Sequence, residues 1–268
     1  MTEKTQEFPN EKLMTLLEHL IELKDRLVRI GIALVVWGAA SFVLAERILL
    51  VLLKPMQRYE GTYKVIATKP TTTIGLFMKI SLFSGAVFAM PWIVHQVLLY
   101  VLPGMTRREK RALVWIVPGA TLFFVVGAAF AYLVMIPAAI PFLLGFWSNI
   151  VEQNWMVDEY VPFITGLIFW VGVSFETPLL MAFVARLGVV TAKQLLSMWK
   201  FAVVGAAVIS AVITPTPDPF NMTLVMLPLD LLYFLGVLMA RIAQPKRLST
   251  DQVEVKKGRR GTRRKGHR

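Results

Sequence analysis

Two long runs without a formal charge restrict this chain more than any other feature. Residues 80–102 and 112–136 contain no Asp, Glu, Lys or Arg. Each is long enough to cross a hydrocarbon core roughly 30 Å thick. Lipid offers the backbone no hydrogen-bond partners, so a span of this kind must satisfy its own N–H and C=O groups as a helix. Similar apolar stretches recur between short polar turns, and the pattern predicts an all-α polytopic membrane protein. Six transmembrane helices are expected, at about 27–53, 74–102, 112–136, 160–185, 199–213 and 222–240. The fifth is short: a helix of its length reaches only about 22 Å. The bilayer must thin there, or neighbouring helices must shield the mismatch.

Punctuation between the spans supports this division. Pro55, Gly61 and Pro70 break the first loop, Pro103 and Gly104 close span two, and Pro137 with Pro141 is expected to close span three. The 142–159 loop carries Trp147, Glu152, Trp155, Asp158 and Glu159, as an interfacial belt would. Ahead of the first span, Leu13, Leu16, Leu17, Leu20 and Leu23 recur at helical spacing. Residues 1–26 are therefore expected to form an amphipathic cytoplasmic segment at the membrane surface, leading into a membrane domain at 27–240. Residues 241–268 are expected to form a basic, disordered cytoplasmic tail.

Apolar character and positive charge coexist without mixing: 56% of the 268 residues are hydrophobic, yet the formal net charge is +12. Of the 29 Lys and Arg residues, 23 fall on one side of the predicted topology. The positive-inside rule places that side, with both termini, in the cytoplasm. Five basic residues from Arg47 to Lys69 on the outer first loop run against it.

Several chemistries lack their residues. With no cysteine there is no disulfide, thiolate metal site or thiol nucleophile. His19, His95 and His267 are too scattered for a metal cluster, so neither a metal nor a cofactor is expected. No GxxxxGK[ST], GxGxxG or HExxH pattern occurs. The polar, acidic N-terminus does not read as a cleavable signal peptide, which leaves the first span as the membrane address.

Acidic residues inside basic regions carry more information. Glu22 sits in His19-Leu20-Ile21-Glu22-Leu23-Lys24-Asp25-Arg26, and Glu109 sits among Arg107, Arg108, Lys110 and Arg111. Local pairing, such as Glu22 with Arg26 one turn on, would account for both at tenths of a kcal/mol. The sharper reading is recognition of a basic ligand, because carboxylate–guanidinium contacts can be bidentate. Glu176 lies within span four, where a carboxyl group is costly and marks function or a paired site. Pro178 frees the Ser174 carbonyl, so the helix can kink beside the acid. Asp230 in the last span invites the same argument, whereas Lys79 is expected to snorkel. His95 and Gln96 read as a packed polar pair.

In this order the motifs resemble TatC, the multi-spanning core component of the twin-arginine protein translocase. His19 to Arg26 resembles the family's HLxELRxR motif. Pro91, Gln96 and the Pro103-Gly104-Met105-Thr106-Arg107-Arg108-Glu109 stretch resemble its span-two end and first cytoplasmic loop. Phe175-Glu176-Thr177-Pro178 is similar to its FExP element, and Thr214-Pro215-Thr216-Pro217-Asp218 more loosely to its TPPD turn. The resemblance implies a receptor, not an enzyme, that recognises twin-arginine signal peptides and helps move folded proteins across the cytoplasmic (inner) membrane on the proton gradient. It assigns signal binding to Glu22 and Glu109, supported by His19, Lys24, Arg26, Tyr100, Pro103 and Arg107. Glu176, Asp230 and Gln96 become intramembrane polar positions, and Asp218 an outer-loop position. The implied partners are the signal peptides, TatA and TatB-like single-span subunits docking along spans five and six, further copies of the chain, and membrane lipid. Nucleic acid is not implied.

This chain departs from the family pattern at Lys24 (an arginine in the motif), Thr106 (an aromatic), Met222 (a polar residue) and Phe234 (a glutamate). Asp230 lies one turn before Phe234 on the same helix face and can stand in for that glutamate. A secondary transporter would favour paired repeats and broken helices around a midplane site, and neither is evident. An intramembrane protease using Glu176 and Asp230 lacks a nucleophile motif.

Overall fold

The computed structural model describes residues 16–57, 65–67, 69–101, 107–146, 150, 155–214 and 218–244. Helix α1 spans Leu16–Gln57. After the short strand β1 (Val65–Ile66) come α2 (Thr72–Val101) and α3 (Arg107–Phe130). A π-helical turn at Ala131–Met135 leads into α4 (Ile136–Gly145), and strand β2 (Trp155–Met156) into α5 (Val157–Phe175). The chain continues as α6 (Thr177–Arg186), α7 (Ala192–Ser197), α8 (Trp199–Ile213) and α9 (Pro219–Ala243). Among the described residues, five helical segments are long and apolar enough to cross a bilayer, and the shorter apolar α8 accompanies them. Val43, Phe201, Val212 and Ile242 are all more than three quarters exposed, a surface only lipid or another apolar partner can cover.

The observed elements bear on three boundaries. Helix α1 runs unbroken from Leu16 through residue 26 into the span, about 63 Å in all. The described part of the opening segment leads straight into the first span. Span three does not stop at Pro137 and Pro141 but continues to Gly145. Pro137 falls in the first turn of α4, where a missing N–H costs little, and the π-helical turn before it absorbs the change of register. Span four, conversely, is broken: α5 ends at Phe175, Glu176 forms the joint, and α6 begins at Thr177 with Pro178 in its first turn. The basic tail from residue 245 on, the 102–106 turn with Pro103, and residues 215–217 lie outside the described residues.

Small residues set how closely the helices approach. A Cβ built on Gly85 would lie 2.6 Å from the Gly38 Cα, so α1 and α2 meet backbone to backbone. Ser41, Ala45, Ser81 and Ala89 continue the buried seam, the kind of small-residue stripe that drives helix association in lipid. Between α3 and α5 the fit is reciprocal. Phe175 fills the notch at Gly127, and Phe124 fills the one at Gly172. Gly236 of α9 likewise takes Met181 and Pro178 of α6.

At the end of the bundle away from the α1 N-terminus, tyrosines fasten the helices together. Pro55 removes the N–H that would have paired with the Val51 carbonyl. The Tyr132 hydroxyl donates to that carbonyl at 2.7 Å, and buried Tyr160 donates to the Leu52 carbonyl at 3.0 Å. Around them Leu52, Met56, Met135, Ile140 and Ile164 form the main core. The two short strands pair in parallel at the same end, Val65 with Trp155 and Ile66 with Met156. Tyr160→Phe is expected to cost about 1–3 kcal/mol, because it removes a buried hydrogen bond, and Tyr132→Phe at the wetter site no more than about 1 kcal/mol. Thermal unfolding of the purified variants in detergent checks this order. A larger loss for Tyr132→Phe would mean that the Pro55 break, not burial, sets the cost.

Candidate functional site

Helices α1 and α2 run antiparallel, so the start of one meets the end of the other. Three contacts gather there. The His19 ring stacks on Tyr100, centroids 4.4 Å apart and planes within 14°. Arg26 donates to the Glu22 carboxylate one helical turn back, through Nε at 3.0 Å and through Nη2. Its Nη1 also reaches Oε1 of Gln96 at 3.4 Å, across to α2. Gln96, only 2% exposed, thus belongs to this terminal cluster, near the end of α2.

The Glu22 carboxylate is used unevenly. Both Arg26 contacts fall on Oε1, while Oε2 is buried with no hydrogen-bond partner among the described residues. Local pairing and ligand recognition are therefore compatible: one oxygen holds Arg26, and the other is buried with no donor among the described residues. An incoming guanidinium would reach Oε2 only if the groups that cover it moved aside. A two-pronged contact of the expected kind would require Arg26 to give way.

Lys24 and His95 make other contacts. Lys24 is 73% exposed in its side chain and pairs with Asp25 at 3.6 Å. Arg107 and Glu109 open α3, but their side chains lie outside the described residues. His95 turns to Trp92, ring centroids 5.6 Å apart, rather than pairing with Gln96.

Glu176 sits at the joint of the broken span, 5% exposed. Its backbone N–H donates to the Val173 carbonyl and its own carbonyl accepts from Leu180, so the joint is satisfied along the chain. Its Oε1 is buried without a partner among the described residues, and so is Oδ1 of half-buried Asp230. Asp218 has a structural task. It caps α9, accepting from the Asn221 backbone at 2.7 Å and from the Asn221 side chain at 2.9 Å. Asn221, almost fully buried, was missed in the sequence, although an amide three residues after an N-cap aspartate is the signal that would have found it. Also missed was a groove of about 370 Å³ lined by Leu44, Arg47, Val51, Phe83, Phe88 and Ile168. Arg47 stands out in the sequence only as one of the five basic residues that run against the positive-inside rule.

These features define a multi-span helical membrane protein with a carboxylate–guanidinium–amide cluster at one end and an unpartnered carboxyl group at a break in mid-span. The chain belongs to the TatC family: the family model described as Sec-independent protein translocase protein (TatC) matches residues 18–228. It is 34% identical over 231 residues to the Sec-independent protein translocase protein TatC of Synechocystis sp., covering 86% of this chain and 89% of that protein. To the TatC of Aquifex aeolicus it is 34% identical over 236 residues, covering 87% and 98%. A crystal structure of the twin-arginine translocase receptor TatC superimposes with a TM-score of 0.77 at 33% identity, covering 84% of this chain and 99% of that one. The protein is a multi-pass membrane component of Sec-independent protein translocation.

Proposed function

We propose that this chain is the receptor for signal peptides that carry two adjacent arginines, with Glu22 and Glu109 as the acids that read them. The observation that carries the reading is the Glu22 carboxylate, fixed by Arg26 on one oxygen and left, among the described residues, without a donor on the other, which is buried. Gln96 holds Arg26, the partner of that acid, and the stacked His19–Tyr100 pair joins the same ends of α1 and α2. Glu109, at the start of α3, would supply the second carboxylate from the same end of the bundle. In the proposed orientation the cluster and both termini face the cytoplasm across an inner membrane, and the excess of basic residues on that side supports it. The test is direct binding of the purified protein to a twin-arginine peptide and to its twin-lysine version. Equal affinity for the two would end the proposal.

In the same proposal, α8 and α9 offer the docking face for TatA and TatB-like single-span subunits, several copies of the chain assemble together, and transport draws on the proton gradient. The tail from residue 241 and residues 1–15 then lie on the cytoplasmic side. Cysteine at Met198 or Phe220, on a background with no native cysteine, is expected to crosslink to a single-span partner helix. Glu176 would act in transport rather than in binding. Glu176→Gln keeps a hydrogen-bonding side chain and is expected to transport nearly as well as the parent. Glu176→Leu removes it and is expected to transport distinctly less, while both bind signal peptide normally. Leucine transporting as well as glutamate would exclude a polar role at this joint.

A further inference from the structure

We propose that the surface where α6, α7, α8 and α9 come together at the amino-terminal end of the bundle is a binding site for the headgroup of an anionic phospholipid. Three alanines make the juncture: Ala185 of α6, Ala192 of α7 and Ala240 of α9 pack into one small core. Each is followed at once by an exposed cation, Arg186, Lys193 and Arg241 respectively. The three cations therefore stand one residue from a shared juncture. The Tyr233 hydroxyl donates to the Leu195 carbonyl and fastens α7 onto α9. A capping box at Thr191 and Gln194 fixes the start of α7. Lys200 of α8 adds a fourth cation, lying 5.9 Å from the centre of the half-exposed Trp199 ring.

Among the described residues, no ion pair joins these cations to an acid. Residues 177–217 contain no Asp or Glu, and neither do residues 231–250. Helix dipoles account for only half of the arrangement. Arg186 and Arg241 occupy last turns, where a cation is favourable. Lys193 and Lys200 each occupy the second position of their helices, where the dipole repels them. Cations held against the local field, with no acid paired to them among the described residues, suit an anion from outside the chain. The flanks say what carries it. Val189, Leu196, Met198 and Phe201 are all more than half exposed beside the cations, so the ligand must join apolar chains to a negative head. Trp199 supplies the amphipathic ring that settles at headgroup level. A basic pocket between span ends, with apolar skirts below it, fits a phosphatidylglycerol-type lipid. The proposed orientation decides only which leaflet supplies that lipid.

The experiment uses the full chain purified in detergent, with native mass spectrometry reading retained phosphatidylglycerol against phosphatidylcholine of the same acyl length. The parent protein is expected to retain the anionic lipid at least about tenfold more tightly, and each cation removed to weaken it roughly fivefold. The triple variant R186Q/K193Q/R241Q should lose the preference. The charge-keeping triple R186K/K193R/R241K, which controls for folding, should retain it, as should K54Q/K79Q at other exposed cations. Equal retention of the two lipids by the parent, or undiminished preference in the glutamine triple, would overturn the site. Displacement by millimolar inorganic phosphate would make it a simple anion site, and tighter retention of a hexaglutamate peptide would make it a protein-docking surface; either result also overturns the lipid assignment. No leaflet or signal peptide enters this measurement, so its failure leaves the receptor proposal untouched.

Discussion

Glu22→Ala is expected to weaken binding of a twin-arginine peptide by roughly tenfold or more, with membrane insertion unchanged. An exposed ion pair is worth only about 0.2–1 kcal/mol, whereas truncating one partner of a desolvated charge pair costs about 2–5 kcal/mol. The Glu22 side chain, 19% exposed, with one oxygen already sequestered, lies nearer the second case. Each 1.4 kcal/mol is tenfold in affinity, so a loss of that size is easily measured. The informative comparison crosses the protein change with the peptide change. Replacing the peptide's arginines by lysines should cost the parent protein far more than it costs Glu22→Ala or Glu109→Ala, because each variant has already lost a contact that the arginines use. Equal losses in all three proteins would show that neither acid reads the guanidinium. Removing Glu22 also leaves Arg26 with Gln96 alone, so thermal unfolding should accompany the binding data, with Glu22→Gln as the variant that keeps an acceptor for Arg26.

The largest effect on the fold itself is expected at Gly85. A first side-chain carbon there would stand 2.6 Å from the Gly38 Cα and 2.7 Å from the Gly38 nitrogen, and both are backbone atoms that cannot swing aside. Gly85→Leu must therefore push α1 and α2 apart along their whole seam. Overpacking costs about 1–3 kcal/mol where side chains can adjust, and the rigid contact puts this case at or beyond the upper end. Loss of folded protein after detergent extraction is the expected readout. Gly75→Leu on the same helix is the control, since nothing lies within 4 Å of a Cβ placed there. Equal yields for the two variants would show that the seam can open. The effect should reach the proposed site as well, because the His19–Tyr100 and Arg26–Gln96 contacts depend on this antiparallel register.

The sequence revealed the spans because lipid permits so few backbone solutions, and uncharged runs such as residues 112–136 leave no second reading. It revealed Glu22 because an acid among bases stands out in a list of residues. Its surroundings were hidden. Gln96 lies 70 positions from Arg26, and their contact follows from where Gly38 meets Gly85, which no local pattern states. The extension of span three was hidden for a different reason. Prolines are read as terminators, yet a π-helical turn can pass the chain through one. Pro178 behaved as expected because its effect, freeing the Ser174 carbonyl, is local. The tyrosine ties to Val51 and Leu52 again join residues 81 and 108 positions apart, beyond the reach of periodicity.

The close seam between α1 and α2 bears on the order in which the molecule can be built. Every partner of Glu22 described above, and both rings of the stacked pair, belongs to the first 101 residues of the chain. Once the second span has left the ribosome and entered the bilayer, this half of the site has all it needs to form, while α3 to α9 are still being synthesised. The later helices then assemble against a finished hairpin, and α3, which opens near Glu109, is added to it afterwards.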